Sequence, residues 1–307
     1  MRLIILMTGQ LRRLWNAWDI LQSRVIEPAV EDGFEVHVYI GLDADLRKPG
    51  VGWKENEKKL VEEETAKLKN RSKIVSSVSL TWIGRDSPHM LGAVRSIADY
   101  RRREKLAENW FDYLVHRSGS CFEYAQLNTL MDKCTEEQSP FQKDDLLLRT
   151  RTDIFLRYPL RLPVCSQFPL LPMDDASIAS VLSQMFPNAI DKNYIQEKNI
   201  ETSILMSDVR DTFSDRWIVT LRKNLIYVLP LQQAHILTRI AKYYGDWDTV
   251  DRNPYWFNAE SQFRGCLRHH FFAVVEHSQN HDQFFGMGNE IHLPENVEKF
   301  PIYAILR

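Results

Sequence analysis

The chain opens on a continuous apolar run, Arg2–Met7 (RLIILM), which suits a strand buried on both faces. A Thr-Gly turn follows, and then Leu14, Trp15, Trp18 and Leu21 share one helical face. Phe34–Ile40 (FEVHVYI) alternates before running apolar, which predicts a second strand. Strand, turn, helix and strand within about 40 residues make one βαβ unit. Glu55–Lys73 is rich in Glu and Lys, with Glu63 and Lys67 in the favourable i,i+4 order, and predicts an exposed helix. Lys73–Trp82 reads as a third strand, followed by helices over Gly92–Val115 and Ser120–Cys134.

Asp145–Leu156 (DLLLRTRTDIFL) begins as an apolar strand and then alternates Arg149, Arg151 and Asp153 with Thr150, Thr152 and Ile154. A period of two puts the three charged residues on one face. Tyr158–Pro172 carries four prolines and predicts a loop. Ala176–Ala189 and Glu201–Ser207 can each supply a strand. Asp211–Leu221 reads as a helix start capped by Ser214 or Asp215. Helices are expected over Pro230–Tyr244 and Asn258–His270, and a late strand over Phe271–Glu276. The tail after Asn280, with Pro294 and Pro301, is expected to wrap the surface. No repeat or linker divides the chain. The expectation is one α/β domain over residues 1–307, with 277–307 as its tail, built on a Rossmann-like, mixed, mostly parallel sheet flanked by helices.

Composition narrows the classes. A hydrophobic fraction of 44% with 26% charged residues is that of a globular protein. The net charge of −2 favours neither nucleic acid nor an anionic membrane as partner. Arg101–Arg103 form a basic cluster that a solvated helix face explains. Cys121, Cys134, Cys165 and Cys266 form no CxxC pair, which argues against thiolate zinc and for free thiols in a reducing compartment. Leu3–Met7 is too short for a signal segment, and no run approaches the ~20 apolar residues of a membrane span. A soluble cytoplasmic protein without an integral membrane segment is expected, in a host cytoplasm if the chain is viral.

The chain lacks the GxxxxGK[ST], GxSxG, HExxH and GxGxxG signatures. Its candidate chemistry lies elsewhere. Thr8-Gly9-Gln10-Leu11-Arg12 follows the first strand. Gly9 allows close backbone approach to a ligand, and Arg12 or Arg13 can reach a diphosphate with a two-pronged guanidinium. The same residues also make an ordinary strand–helix turn. Arg149, Arg151 and Asp153 can neutralise a diphosphate, with Asp153 holding Mn²⁺ or Mg²⁺. They can equally form an internal ion-pair network. Asp43-Ala44-Asp45 is a DxD triplet beside Arg47, Lys48 and Pro49, which favours a surface loop over a metal site. His277, His281 and Asp282 sit in a loop-like stretch, where one histidine could complete a metal shell. Asp215 and Glu260 lie in aromatic stretches that suit sugar faces, and each can serve as base toward an acceptor hydroxyl or as a first-turn helix acid.

In order and spacing these segments resemble the WavE-like and related polysaccharide glycosyltransferases of bacteria and large DNA viruses. Those proteins open with a strand and a (Ser/Thr)-Gly-Gln-x-Arg turn, here Thr8–Arg12. Their mid-chain strand, Tyr-Asp-apolar-apolar-x-Arg-x-Arg-x-Asp, is matched by Asp144–Asp153, with Asp144 at the tyrosine position, and then Tyr158-Pro159-Leu160. An Asp-(Arg/Gln)-aromatic element is matched by Asp215-Arg216-Trp217, and a Glu-x-x-apolar helix by Glu260–Phe263. The glycine-rich turn that often follows the aromatic element is replaced by Ile218–Tyr227. The resemblance spans Arg2 to Val275. It implies a GT-A-like fold and a nucleoside-diphosphate sugar donor held by Thr8, Gly9, Gln10, Arg12, Arg149 and Arg151. It also implies a divalent metal at Asp153 and a glycan acceptor, with Asp215 or Glu260 as base if the transfer inverts. A non-catalytic nucleotide-sugar or glycan-binding protein is the alternative, and a nucleotide-sugar hydrolase or nucleotidyltransferase a third.

Overall fold

The computed structural model describes residues 1–48, 50–71, 74–105, 120–138, 145–156 and 159–162, with the backbone of strands at 202–207, 217–221, 227–230, 272–276 and 303–305. Among the described residues five α-helices are present: α1 (Leu14–Leu21), α2 (Glu27–Glu31), α3 (Glu57–Arg71), α4 (Pro88–Glu104) and α5 (Ser120–Glu137). A π-helical turn, Gln22–Ile26, joins α1 to α2. The first strands are β1 (Arg2–Gly9), β2 (Glu35–Asp43), β3 (Leu46–Lys48), β4 (Val51–Gly52), β5 (Ser77–Ile83) and β6 (Leu146–Arg151). They are followed by β7 (Ile154–Leu156), β8 (Thr202–Ser207), β9 (Trp217–Leu221), β10 (Tyr227–Pro230), β11 (Phe272–Glu276) and β12 (Tyr303–Ile305).

The main sheet is mixed, in the order β11-β8-β9-β10-β6-β1-β2-β5. Its Rossmann-like half, β6-β1-β2-β5, is parallel throughout. The other half is antiparallel and joins through β10 to β6. The parallel strands β1, β2 and β6 are buried on both faces, as their apolar runs require: Leu3 to Leu6, Val36, Val38, Ile40 and Leu146 to Leu148 are all core residues, while the edge strand β5 is half-buried. Crossovers that run in opposite directions across a sheet place their helices on opposite faces. Thus α2 and α3 cover β2 and β5 from one side, and α5, with α4 against it, covers β1, β2 and β5 from the other. No helix among the described residues is long and apolar enough to cross a membrane.

Several boundaries differ from expectation. The helix expected over Gly92–Val115 starts at Pro88, a residue suited to a first helical turn. It stops at Glu104, where Lys105 adopts the left-handed conformation at φ 53°. The helix expected from Asp211 to Leu221 is replaced over its last five residues by β9, whose Trp-Ile-Val-Thr-Leu sequence is β-prone and lies between β8 and β10. Pro230 ends β10 instead of starting a helix; residues 231–244 lie outside the described residues. Within the tail, β12 pairs antiparallel with β7. The segment Asp145–Leu156 is broken into β6 and β7 at Thr152-Asp153.

Polar ties fix α5 to the sheet. Arg2 donates to Asp145 through both Nε and Nη2, and to the carbonyl of Gln138 just past α5. Hydrogen bonding to Asp145 raises the Arg2 pKa above its ordinary value. Gln138 Nε2 also donates to Tyr39 Oη at 3.0 Å and lies 3.2 Å from His37 Nδ1. Burial lowers the His37 pKa, outweighing the opposite effect of Glu35. Gly41 sits where α5 comes closest: an added Cβ would stand 3.0 Å from both Leu130 and Ile83 side chains. Cys121 and Cys134 are buried thiols whose pKa burial pushes up to about 12, so they act as small apolar groups.

Replacing Arg2 with Met removes both guanidinium bonds to the fully buried Asp145 carboxylate, and the urea midpoint should fall by the equivalent of about 3 kcal/mol. A second expectation concerns pH. A histidine whose folded pKa is lowered stabilises the fold above its unfolded value of about 6.5 and loses that contribution as pH falls below it. The stability drop of the wild type on acidification through this range should therefore shrink in His37→Gln, read as urea midpoints at successive pH values.

Candidate functional site

The C-terminal ends of β1, β2, β5 and β6 converge on the first turns of α5. From β1 the sheet steps outward to β2 and β5 on one side, and β6 lies on the other. This is the topological switch point at which open α/β sheets form their ligand crevice. A cleft of about 220 Å³ opens there. Since Gln138 reaches His37 near the start of β2, while Phe122 and Glu123 line the cleft, α5 runs antiparallel to the strands. Its N-terminal turns point their partial positive charge at the cleft.

Each wall comes from one strand end. From β1 come Thr8 and Gly9, and from the turn after it Gln10 and Arg12. Thr8 is 1% exposed, and its Oγ1 has no hydrogen-bond partner among the described residues. Gly9 has φ 141°, and an added Cβ would stand 2.9 Å from Thr152 Oγ1. The glycine is therefore required by the approach of the β6–β7 turn, whose Thr152 hydroxyl donates to the Gln10 carbonyl. Arg12 holds φ 34°, a sparsely populated region for a residue with a side chain. Its Nε donates to Gln10 Oε1 at 3.4 Å and its Nη1 to Asp153 Oδ2 at 2.5 Å.

β6 supplies Arg151, opposite Thr8 in register. Arg151 grips Asp153 with both prongs: Nε to Oδ1 and Nη2 to Oδ2, each at 2.9 Å. Asp153 is fully buried and lies in the turn beyond β6, not on the strand face expected from alternation. Arg149 was expected in contact with the diphosphate. It sits two residues, roughly 7 Å, further down the strand. There it is fully buried and paired with Glu123 of α5, beneath the cleft and not in its wall.

β2 contributes Asp43, its last residue, which is 2% exposed and lines the cleft. Of the DxD triplet, then, Asp43 closes β2 inside the cleft, while Ala44 and the exposed Asp45 form the surface bend that was expected. Asp43 Oδ1 accepts the backbone N–H groups of Asp45 and Leu46 at 2.9 Å, shaping the turn into β3. Asp45 Oδ2 accepts the Arg85 N–H at 3.0 Å. The Arg85 guanidinium lies 4.5 Å over the Phe122 ring at the cleft wall.

From α5, Glu123 and Gln126 enter the site. Neither was singled out from the sequence, although two polar residues three apart within the apolar run Cys121–Leu127 are a signal. Gln126 is 3% exposed, and its Nε2 has no hydrogen-bond partner among the described residues. Asp215, Glu260, His277, His281 and Asp282 lie outside the described residues. Among the described residues no group of three or more His, Cys, Asp or Glu side chains stands close enough to hold a metal ion.

No family model matches the chain. No curated protein matches it either. Solved structures that match include mouse xyloside xylosyltransferase 1 in its apo form, at a TM-score of 0.34 and 9% identity, over 99% of this chain and 96% of that one.

A buried hydroxyl without a partner destabilises the free protein. Thr8→Val should raise the melting temperature of the ligand-free chain, by the equivalent of about 1 kcal/mol, while weakening whatever binds in the cleft. An unchanged or lower melting temperature would mean that the hydroxyl is already satisfied.

Proposed function

We propose that the cleft binds a nucleoside-diphosphate sugar and that the chain transfers the sugar to a hydroxyl of a glycan acceptor. The observation that carries this reading is the pairing of two guanidinium groups, Arg12 and Arg151, with two buried polar groups that have no partner among the described residues, Thr8 Oγ1 and Gln126 Nε2, around one cleft at the switch point. Guanidinium forks match phosphate oxygens in charge and planar geometry. Hydroxyl, amide and carboxylate groups (Thr8, Gln126, Asp43) match a hydroxyl-rich ligand. The order of the Thr8–Arg12 and Asp144–Asp153 motifs along the chain supports the same chemistry.

In the transfer, the acceptor oxygen bonds to the anomeric carbon as the bond from that carbon to the phosphate oxygen breaks. The electron pair leaves with the nucleoside diphosphate, and the acceptor proton passes to a base. Arg12 and Arg151 stabilise the charge that develops on the departing diphosphate. Asp215 and Glu260 remain the proposed bases if the reaction inverts. The Mn²⁺ or Mg²⁺ expected at Asp153 does not fit the residues there, because both carboxylate oxygens accept from arginines. On this reading the transfer has no metal step.

A thermal-shift screen against UDP-, GDP-, CMP- and dTDP-sugars checks the reading. One nucleotide class should raise the melting temperature by a few degrees, the shift of about 2.7 kcal/mol expected at a hundredfold excess over Kd. Arg151→Gln should abolish that shift. A flat screen at millimolar ligand would remove the nucleotide-sugar reading. Binding without donor consumption, with or without a glycan acceptor, would favour a non-catalytic binding protein.

A further inference from the structure

Asp153 is the most enclosed carboxylate of the cleft. It is fully buried and receives three charge-assisted hydrogen bonds, two from Arg151 and one from Arg12. A divalent cation bound here would have to break the two-pronged Arg151 pair and would place further positive charge against two guanidinium groups. The three side chains together carry one net positive charge, which attracts an anion. Arg12 uses Nε and Nη1 for its internal bonds, and Arg151 uses Nε and Nη2. Nη2 of Arg12 and Nη1 of Arg151 are therefore left for a ligand, among the described residues. The positive φ of Arg12 has an account in the same geometry. Its backbone N–H is tied to the Arg47 carbonyl at 3.4 Å while its side chain turns to Asp153.

We propose that this cleft neutralises a diphosphate with guanidinium groups alone, without a divalent cation, and that Asp153 is a positioning residue that fixes the planes of Arg12 and Arg151. The proposal rests on the nucleotide-sugar reading above and goes beyond it by assigning the work of the cation to two arginines. Asp153 contributes by holding them, not by touching the ligand.

The test is calorimetric titration of the full chain with UDP and with GDP, once in EDTA and once in Mn²⁺. The diphosphate that binds should do so with a Kd that changes less than about twofold between the two conditions. Binding at least about tenfold tighter in Mn²⁺, with that gain lost in Asp153→Asn, would overturn the proposal. Failure of both nucleotides, and of dTDP titrated beside them, in both conditions would instead overturn the nucleotide-sugar reading, and the inference with it. Asp153→Asn, nearly the same shape, should weaken binding about tenfold in EDTA and Mn²⁺ alike. It should also abolish the slowly exchanging Nε–H signal of Arg151 in the NMR spectrum while backbone signals persist. Unchanged affinity in EDTA would overturn the positioning role. Arg151→Lys, which keeps the charge and loses the fork, should weaken binding comparably; wild-type affinity in that variant would overturn the fork as the basis of recognition.

Discussion

A carboxylate buried beneath two arginines, where two parallel strands end side by side, is the interaction on which the site depends. Alone, the Asp153 charge would cost several kcal/mol to bury. Arg151 and Arg12 offset that cost, and each comes from a different part of the chain. Arg151 closes β6, Asp153 lies in the turn beyond it, and Arg12 arrives from the turn after β1. The parallel register that sets Thr8 against Arg151 brings the two turns level. Gly9 then lets Thr152 close against the backbone, since a side chain at that position would meet its hydroxyl.

The same face of the sheet carries two further ion pairs. Arg2–Asp145 lies at the opposite end of β1 and β6, and Arg149–Glu123 lies between. With Gln138 bound to the β2 side chains, they hold α5 against the sheet near both of its ends. The absence of a side chain at Gly41 lets the helix lie close in between. The helix that supplies Glu123 and Gln126 is thereby fixed relative to the strands that supply Thr8, Asp43 and Arg151. A binding constellation built on such elements is held more closely than one carried on loops.

Stability has been given up within the cleft. Thr8 Oγ1 and Gln126 Nε2 are buried polar atoms without protein partners among the described residues, in a fold that satisfies the buried side chains of Asn128 and Thr65 through backbone carbonyls. Such groups persist where a ligand completes them. The non-glycine positive φ at Arg12 belongs to the same pattern of strain kept at a site by its surroundings.

The amino-acid sequence by itself determined the α/β class, because apolar runs such as Arg2–Met7 and Leu146–Leu148 can be satisfied only by strands covered on both faces. It also marked Thr8–Arg12 and Arg149–Asp153 as segments whose charges, beside an apolar strand, need partners, whether a ligand or one another. What it left open were properties of side chains distant in sequence. Trp217–Leu221 is β-prone by itself, but against the helix start read from Ser214 and Asp215 only its pairing with β8 and β10 decides for a strand. Alternation could not separate Arg149 from Arg151, since only α5 distinguishes a buried pair with Glu123 from a cleft wall. Nor could the triplet Asp43–Asp45 reveal that Asp43 faces the cleft, since its exposure depends on elements far along the chain. Tertiary structure alone set Arg12 and Arg151 against Asp153, because the electrostatic field at a buried carboxylate depends on whichever charges the fold brings within hydrogen-bond distance.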